Sequence, residues 1–241
     1  MKMSVSPANR SGEGMQMKFG TCKILLIGAA VGASTPALAS SDNQIWTTGS
    51  ATVKLADKWR FSEELVGRFS SNRDGLYEIE GTSLIGYRIT KDITLWGGYV
   101  HNPQYSGGDF TVMERRAREQ VTFDNVAKIG SGKLNARMRL EQRWREHTDG
   151  TGWRLRPYVK YSMPLMGKAA LNLSSEPFFN LNTTSFQRQS GLDRVRNLVS
   201  ISAPINKRLN AEFGYMNQHG FVRHGEDTSD NIAYAALSIS L

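Results

Sequence analysis

Arginine and glutamate at every second position are the residues of this chain whose types and spacing could do chemistry. Arg137, Arg139, Glu141, Arg143 and Arg145 lie two apart, as do Arg154 and Arg156, with Lys160 beyond them. Arg116 and Arg118 precede this run, and Glu176, Arg194 and Arg196 follow it. A guanidinium is a planar fork of donors that stays charged and matches the oxygens of a carboxylate or phosphate. Such forks can pair with carboxylates of their own chain, or they can hold an anion from outside. Neither use needs a cofactor or a metal, and none is assigned.

A second candidate chemistry is acyl transfer by a hydroxyl and a histidine base. His101, His147, His219 and His224 all fall at expected loop edges, with Ser106, Thr148 and Ser229 nearby. No Gly-x-Ser-x-Gly elbow and no His-x-Ser pair accompanies them. A lipid hydrolase or acyltransferase is therefore the alternative function, and a chain without catalysis is the expectation. His219 and His224 with Glu226 and Asp227 read as a solvated loop rather than a metal site.

The spacing of the arginines also dictates the element that carries them. A helix would scatter Arg137, Arg139, Glu141, Arg143 and Arg145 around its circumference, whereas a strand collects them on one face. Met138, Leu140, Gln142 and Trp144 then fall on the other face. The same alternation runs through most of the chain and predicts eleven strands: 45–55, 58–70, 76–90, 92–101, 113–124, 133–146, 152–163, 168–181, 188–203, 208–217 and 230–241. Short turns alternate with longer polar loops at 70–75, 102–112, 147–152, 182–187 and 218–230. Strands this long, joined that way, describe an antiparallel transmembrane β-barrel of about 10–12 strands. A soluble periplasmic β-protein is the alternative fold. Trp46, Trp59, Trp96, Trp144 and Trp153 near strand ends are expected to form interfacial girdles. Single-chain bacterial barrels normally have an even strand number, so the expectation leans to ten, with the first segment an extra piece.

The N-terminus supplies the address. Lys18 and Lys23, an apolar run from Ile24 to Ala33, and Ala37-Leu38-Ala39 read as a signal peptide over 1–39, cleaved between Ala39 and Ser40. Residues 1–16 are an over-extended start or a long basic leader. Cleavage removes four basic residues, one acidic residue and the single cysteine, Cys22, lowering the net charge from +8 to +5. A disulfide scaffold and a cysteine-based zinc site are thereby excluded. The mature chain, 40–241, is expected to form one domain in the outer membrane.

Asn43-Gln44-Ile45-Trp46, Arg137-Met138-Arg139-Leu140-Glu141-Gln142-Arg143, Trp153-Arg154-Leu155-Arg156 and Ser175-Glu176-Pro177-Phe178-Phe179-Asn180 together resemble segments of the domain of unknown function family 2490. The resemblance implies a Gram-negative, exported outer-membrane barrel over 43–241. It implies no activity and no functional residue.

In a barrel the charged face lines the lumen. Alternation turns Arg68, Arg116, Arg118, Arg137, Arg139, Arg143, Arg145, Arg154, Arg156, Lys160, Arg194 and Arg196 inward, with Glu64, Glu78, Glu80, Asp124, Glu141, Glu176 and Glu212. One outcome is a lumen filled by an arginine–carboxylate network. The other is a narrow passage whose positive excess prefers small anionic solutes. Expected partners are membrane lipids, lipopolysaccharide phosphates at Arg73, Arg188 and Arg223, and the barrel-assembly machinery at Ala233–Leu241. Arginines alternating on strands of an exported chain argue against nucleic acid.

Overall fold

The computed structural model of the protein describes Met1 and residues 40–241. The expected signal segment, with Ala37 and Ala39 of its cleavage site, lies outside the described residues, and Ser40 begins the first strand. Eleven strands follow in order: β1 (Ser40–Lys54), β2 (Trp59–Ser70), β3 (Gly75–Arg88), β4 (Ile93–Ser106), β5 (Asp109–Ile129), β6 (Gly132–Arg145), β7 (Gly152–Pro164), β8 (Ala170–Asn180), β9 (Gly191–Pro204), β10 (Leu209–Gly220) and β11 (Thr228–Ser240). Consecutive strands pair antiparallel, and β11 pairs with β1 to close the barrel.

The closure is parallel, from Ser40 opposite Thr228 to Thr52 opposite Ser240. An odd number of antiparallel neighbours leaves the first and last strands pointing the same way, so only a parallel seam can close such a sheet. The expected even count is therefore corrected. The first segment is a full strand, hydrogen-bonded to β2 as well as β11. Asp42 anchors it by accepting from Ser70 Oγ (2.6 Å), Ser71 Oγ (3.0 Å) and the Asn72 amide (3.2 Å). The far end is tied by the Leu241 amide to the Thr52 carbonyl (2.9 Å) and the Lys54 amide to the Leu241 carbonyl (3.1 Å).

Alternation sorts the side chains into an inverted arrangement. Eight apolar residues but twenty-one polar or charged ones are buried among the described residues. The outer face carries the exposed apolar side chains, among them Ile45, Leu65, Ile85, Leu95, Tyr99, Val159, Leu173, Val199, Phe213 and Leu237. One strip of the lumen is apolar. Trp46, Met216 and Ile232 cluster there beside the seam, with Leu198 and Tyr234 packed on them.

Two expectations about this sorting are corrected. The long loop at 102–112 is instead the tip of a β4–β5 hairpin turning on Gly107 (φ 58°) and Gly108 (φ 90°). Paired glycines supply the two positive φ values that a two-residue hairpin turn requires. The segment reads as a loop because it is polar, yet its polarity is inward: Asn102 is fully buried and donates to the Ile79 carbonyl (3.2 Å). Of the five expected girdle tryptophans, Trp59, Trp144 and Trp153 are exposed, but Trp46 and Trp96 turn into the lumen. Trp96 donates to Thr122 Oγ1 (3.2 Å) and occupies space left by Gly86, where an added Cβ would lie 2.5 Å from the indole.

Candidate anion-binding lumen

The charged residues of the strands meet across the lumen as one belt. Glu141 on β6 is its centre. Arg118 of β5 donates to Glu141 Oε1 through Nε (3.1 Å) and Nη2 (2.8 Å), and Arg156 of β7 donates to the same oxygen (3.0 Å). Arg154 donates twice to Oε2, at 2.9 and 2.6 Å. Glu80 of β3 accepts from Arg68 (3.1 Å), Arg116 (3.0 Å) and Arg118 (2.8 Å). Glu176 of β8 is shared by Arg156 (2.9 Å) and Arg137, and Glu212 of β10 takes Lys160 (3.2 Å). A carboxylate that accepts from several guanidiniums offsets the cost of desolvating all of them, which is how a charged lumen can be dry.

The belt is completed by aromatic faces. Arg68 and Arg196 both lie over the Trp46 ring, each with its guanidinium carbon 4.5 Å from the centroid. Phe178 is 1% exposed and has Arg154, Arg156, Arg194 and Arg196 within 4.2–5.9 Å of its centroid. A ring face offers negative potential to cations that have too few carboxylates.

All of the sequence-predicted basic lumen residues lie on this inner face: Arg68, Arg116, Arg118, Arg137, Arg139, Arg143, Arg145, Arg154, Arg156, Lys160, Arg194 and Arg196. Of the acidic set, Asp124 is the exception. It is exposed beside the irregularity between Phe123 and Ala127, where the alternation of β5 breaks. The sequence reading missed Glu114, which is 1% exposed and accepts from Arg116 (2.6 Å) and bidentately from Arg143 (2.9 and 2.9 Å). Its signal was present, because Glu114, Arg116 and Arg118 are themselves two apart. Phe178, Asp193 and Asp230 were also missed.

Two cavities flank the belt, with Trp46, Arg68, Glu80, Arg156 and Arg196 as shared wall. The upper one, about 530 Å³, lies toward the longer connections and is bounded by Arg73, Phe186, Arg188, Gln189 and Phe221. Ten arginines and five carboxylates line this vestibule. Arg145 bonds only Gln104 (2.9 Å), and Arg188 is exposed, so neither is neutralised by a carboxylate within 4.0 Å among the described residues. The lower cavity, about 170 Å³, is lined by Arg68, Arg137, Arg139, Arg156 and Arg196 against Glu64, Glu80 and Glu176, with Val66, Leu198 and Met216 on its apolar side.

The histidines do not join this site. His101, His147 and His224 are exposed. His219 contacts Asp227 through Nε2 (3.0 Å) and meets Phe221 edge to face, with ring centroids 4.7 Å apart. The Val222 amide (2.9 Å) and His219 hold the Asp227 carboxyl below its ordinary range. Ser229 lies opposite His219 in the β10–β11 register, but its hydroxyl accepts from Asn217 Nδ2 (3.0 Å).

A family model described as a protein of unknown function, DUF2490, matches residues 43–229, from β1 to the start of β11. The chain belongs to that family. The family segment includes every arginine of the belt and both cavities' walls except Asp230 and Tyr234. An uncharacterized protein of Methylorubrum extorquens is 28% identical over 193 residues, covering 78% of this chain and 83% of its own length. No solved structure matches the chain.

Proposed function

We propose that this DUF2490 member is an exported outer-membrane barrel of transport-related role that captures small anionic solutes, carboxylates or phosphates, in its vestibule. The observation that carries the reading is the lining of that cavity by ten arginines and five carboxylates, with Arg145 and Arg188 unneutralised near its mouth. A low-dielectric wall with a net positive charge focuses its field into the cavity and raises the local concentration of anions. The belt beneath supports capture over free diffusion, because its buried ion pairs occupy the middle of the lumen. Passage of a solute requires those pairs to exchange partners, which favours narrow, anion-preferring conduction over a wide channel.

The membrane part of the proposal rests on the outer face. Leu65, Ile85, Val159, Val199, Ile201, Phe213 and Tyr215 are each about half exposed around the barrel. A continuous apolar exterior of that extent suits lipid and would drive aggregation in water. The longer connections then face outward, where Arg73, Arg188 and Arg223 are placed for lipopolysaccharide phosphates, and the exposed Leu237 face of β11 is available to the assembly machinery.

The test uses the full chain expressed in a Gram-negative host and purified in nonionic detergent. Citrate and phosphate binding is measured by calorimetry at two salt concentrations, and conductance is measured in a planar bilayer under a salt gradient. Binding that weakens with salt, with absent or anion-selective conductance, supports the reading. Cation-selective conductance, or no anion binding by folded protein, would sink it.

The reading as a lipid-modifying enzyme keeps one specific observation, the His219–Asp227 contact with Ser229 opposite His219 in the β10–β11 register. Release of fatty acid from phospholipid vesicles that stops in His219→Ala would move the function there.

A further inference from the structure

Six arginines are buried among the described residues: Arg68, Arg116, Arg118, Arg139, Arg154 and Arg156. Five of them have a carboxylate oxygen within 4.0 Å. Arg139 has none. It is 7% exposed, and its one side-chain bond is from Nε to Gln120 Oε1 (2.9 Å). It lines the lower cavity, on the opposite side of the belt from the vestibule.

An arginine cannot escape this position by losing its proton. A buried guanidinium without a counter-charge costs several kcal/mol. The nearby Glu176 is already engaged by Arg137 and Arg156. Arg196, on the same cavity wall, also lacks a carboxylate within 4.0 Å and bonds Gln218 (2.8 Å). Five guanidiniums against three carboxylates leave the lining positive, and about 170 Å³ exceeds the space that a few waters take. Glu64, on β2, is the one lining carboxylate without a basic partner within 4.0 Å, and it remains part-exposed.

We infer that the lower cavity is a second, internal site for one small anion, a halide or a short carboxylate, held by Arg139 and completing the charge balance of the belt. Its small volume and apolar Val66, Leu198 and Met216 side exclude the larger polyanions that the vestibule admits. The inference does not depend on capture in the vestibule, because Arg139 does not line that cavity.

The test is thermal unfolding of the full-length chain in nonionic detergent, read by heat-modifiable gel mobility at constant ionic strength. Bromide, acetate and phosphate are each titrated against HEPES, whose bulky anion does not fit. Bromide or acetate should raise the transition temperature saturably, and phosphate should do so less. Arg139→Gln should weaken the bromide effect about tenfold, the loss expected for one charge-assisted contact. Arg145→Gln with Arg188→Gln should leave it unchanged, which separates this site from the vestibule. An unchanged bromide curve in Arg139→Gln, or no saturation by bromide or acetate in the parent chain, overturns the inference. Should Arg139→Gln fail to fold, Glu64→Gln carries the test. Removing that competing negative charge should tighten bromide roughly threefold to tenfold, and no change overturns the site.

Discussion

Arg118 and Glu141 lie on adjacent strands, are 1% and 0% exposed, and are joined by two hydrogen bonds onto a single carboxylate oxygen. The other oxygen of Glu141 takes Arg154, so one carboxylate on β6 holds three arginines from its two neighbouring strands in place. Replacing it with Gln keeps the shape and removes the charge. Glu141→Gln is expected to destabilise the barrel by about 3–5 kcal/mol, because it strands buried guanidiniums without a partner. The unfolding midpoint in urea with lipid vesicles measures it. A loss below about 1 kcal/mol would mean that the belt is hydrated.

The rim arginines should behave in the opposite way. Among the described residues, Arg145 and Arg188 have no carboxylate within 4.0 Å to release. Arg145→Gln and Arg188→Gln are each expected to weaken citrate binding roughly threefold to tenfold and to flatten its salt dependence, with the unfolding midpoint unchanged. Arg143 and Arg154 are poorer choices, since each anchors a buried carboxylate.

Tryptophan placement gives a test of the outer face that needs no ligand. Trp153 is exposed at a strand end, whereas Trp46 is 3% exposed and in contact with the Arg68 and Arg196 guanidiniums. In vesicles of brominated lipid, a chain retaining only Trp153 should lose most of its fluorescence, and one retaining only Trp46 should keep it. Equal quenching of both would place Trp46 outside the lumen.

The seam can be locked chemically. Thr47 lies opposite Ala235 in the parallel pair. The only natural cysteine is Cys22. With Cys22 removed, Thr47→Cys with Ala235→Cys should oxidise to an intramolecular disulfide and give a faster-running band on a non-reducing gel. A ten-stranded barrel with β1 detached would give no such band.

The alternation of residue types determined much of this protein without reference to its structure. The eleven strand segments and the twelve basic residues of the lumen follow from a period of two, because a strand offers only two faces and a charge strongly prefers the one it can share with a counter-charge. What alternation cannot see is pairing between residues far apart in the chain. The parallel seam joins Ser40 to Thr228, and nothing local to either marks the other. Asn102 and its neighbours read as a loop because polarity signals water in a sequence, while inside this barrel it signals the lumen. The same blindness applies to charge balance. Alternation turns more basic residues than carboxylates inward, but only the closed barrel decides that Glu141 serves three arginines and that Arg139 is left with none among the described residues, since that depends on which side chains the curvature of the sheet brings within reach.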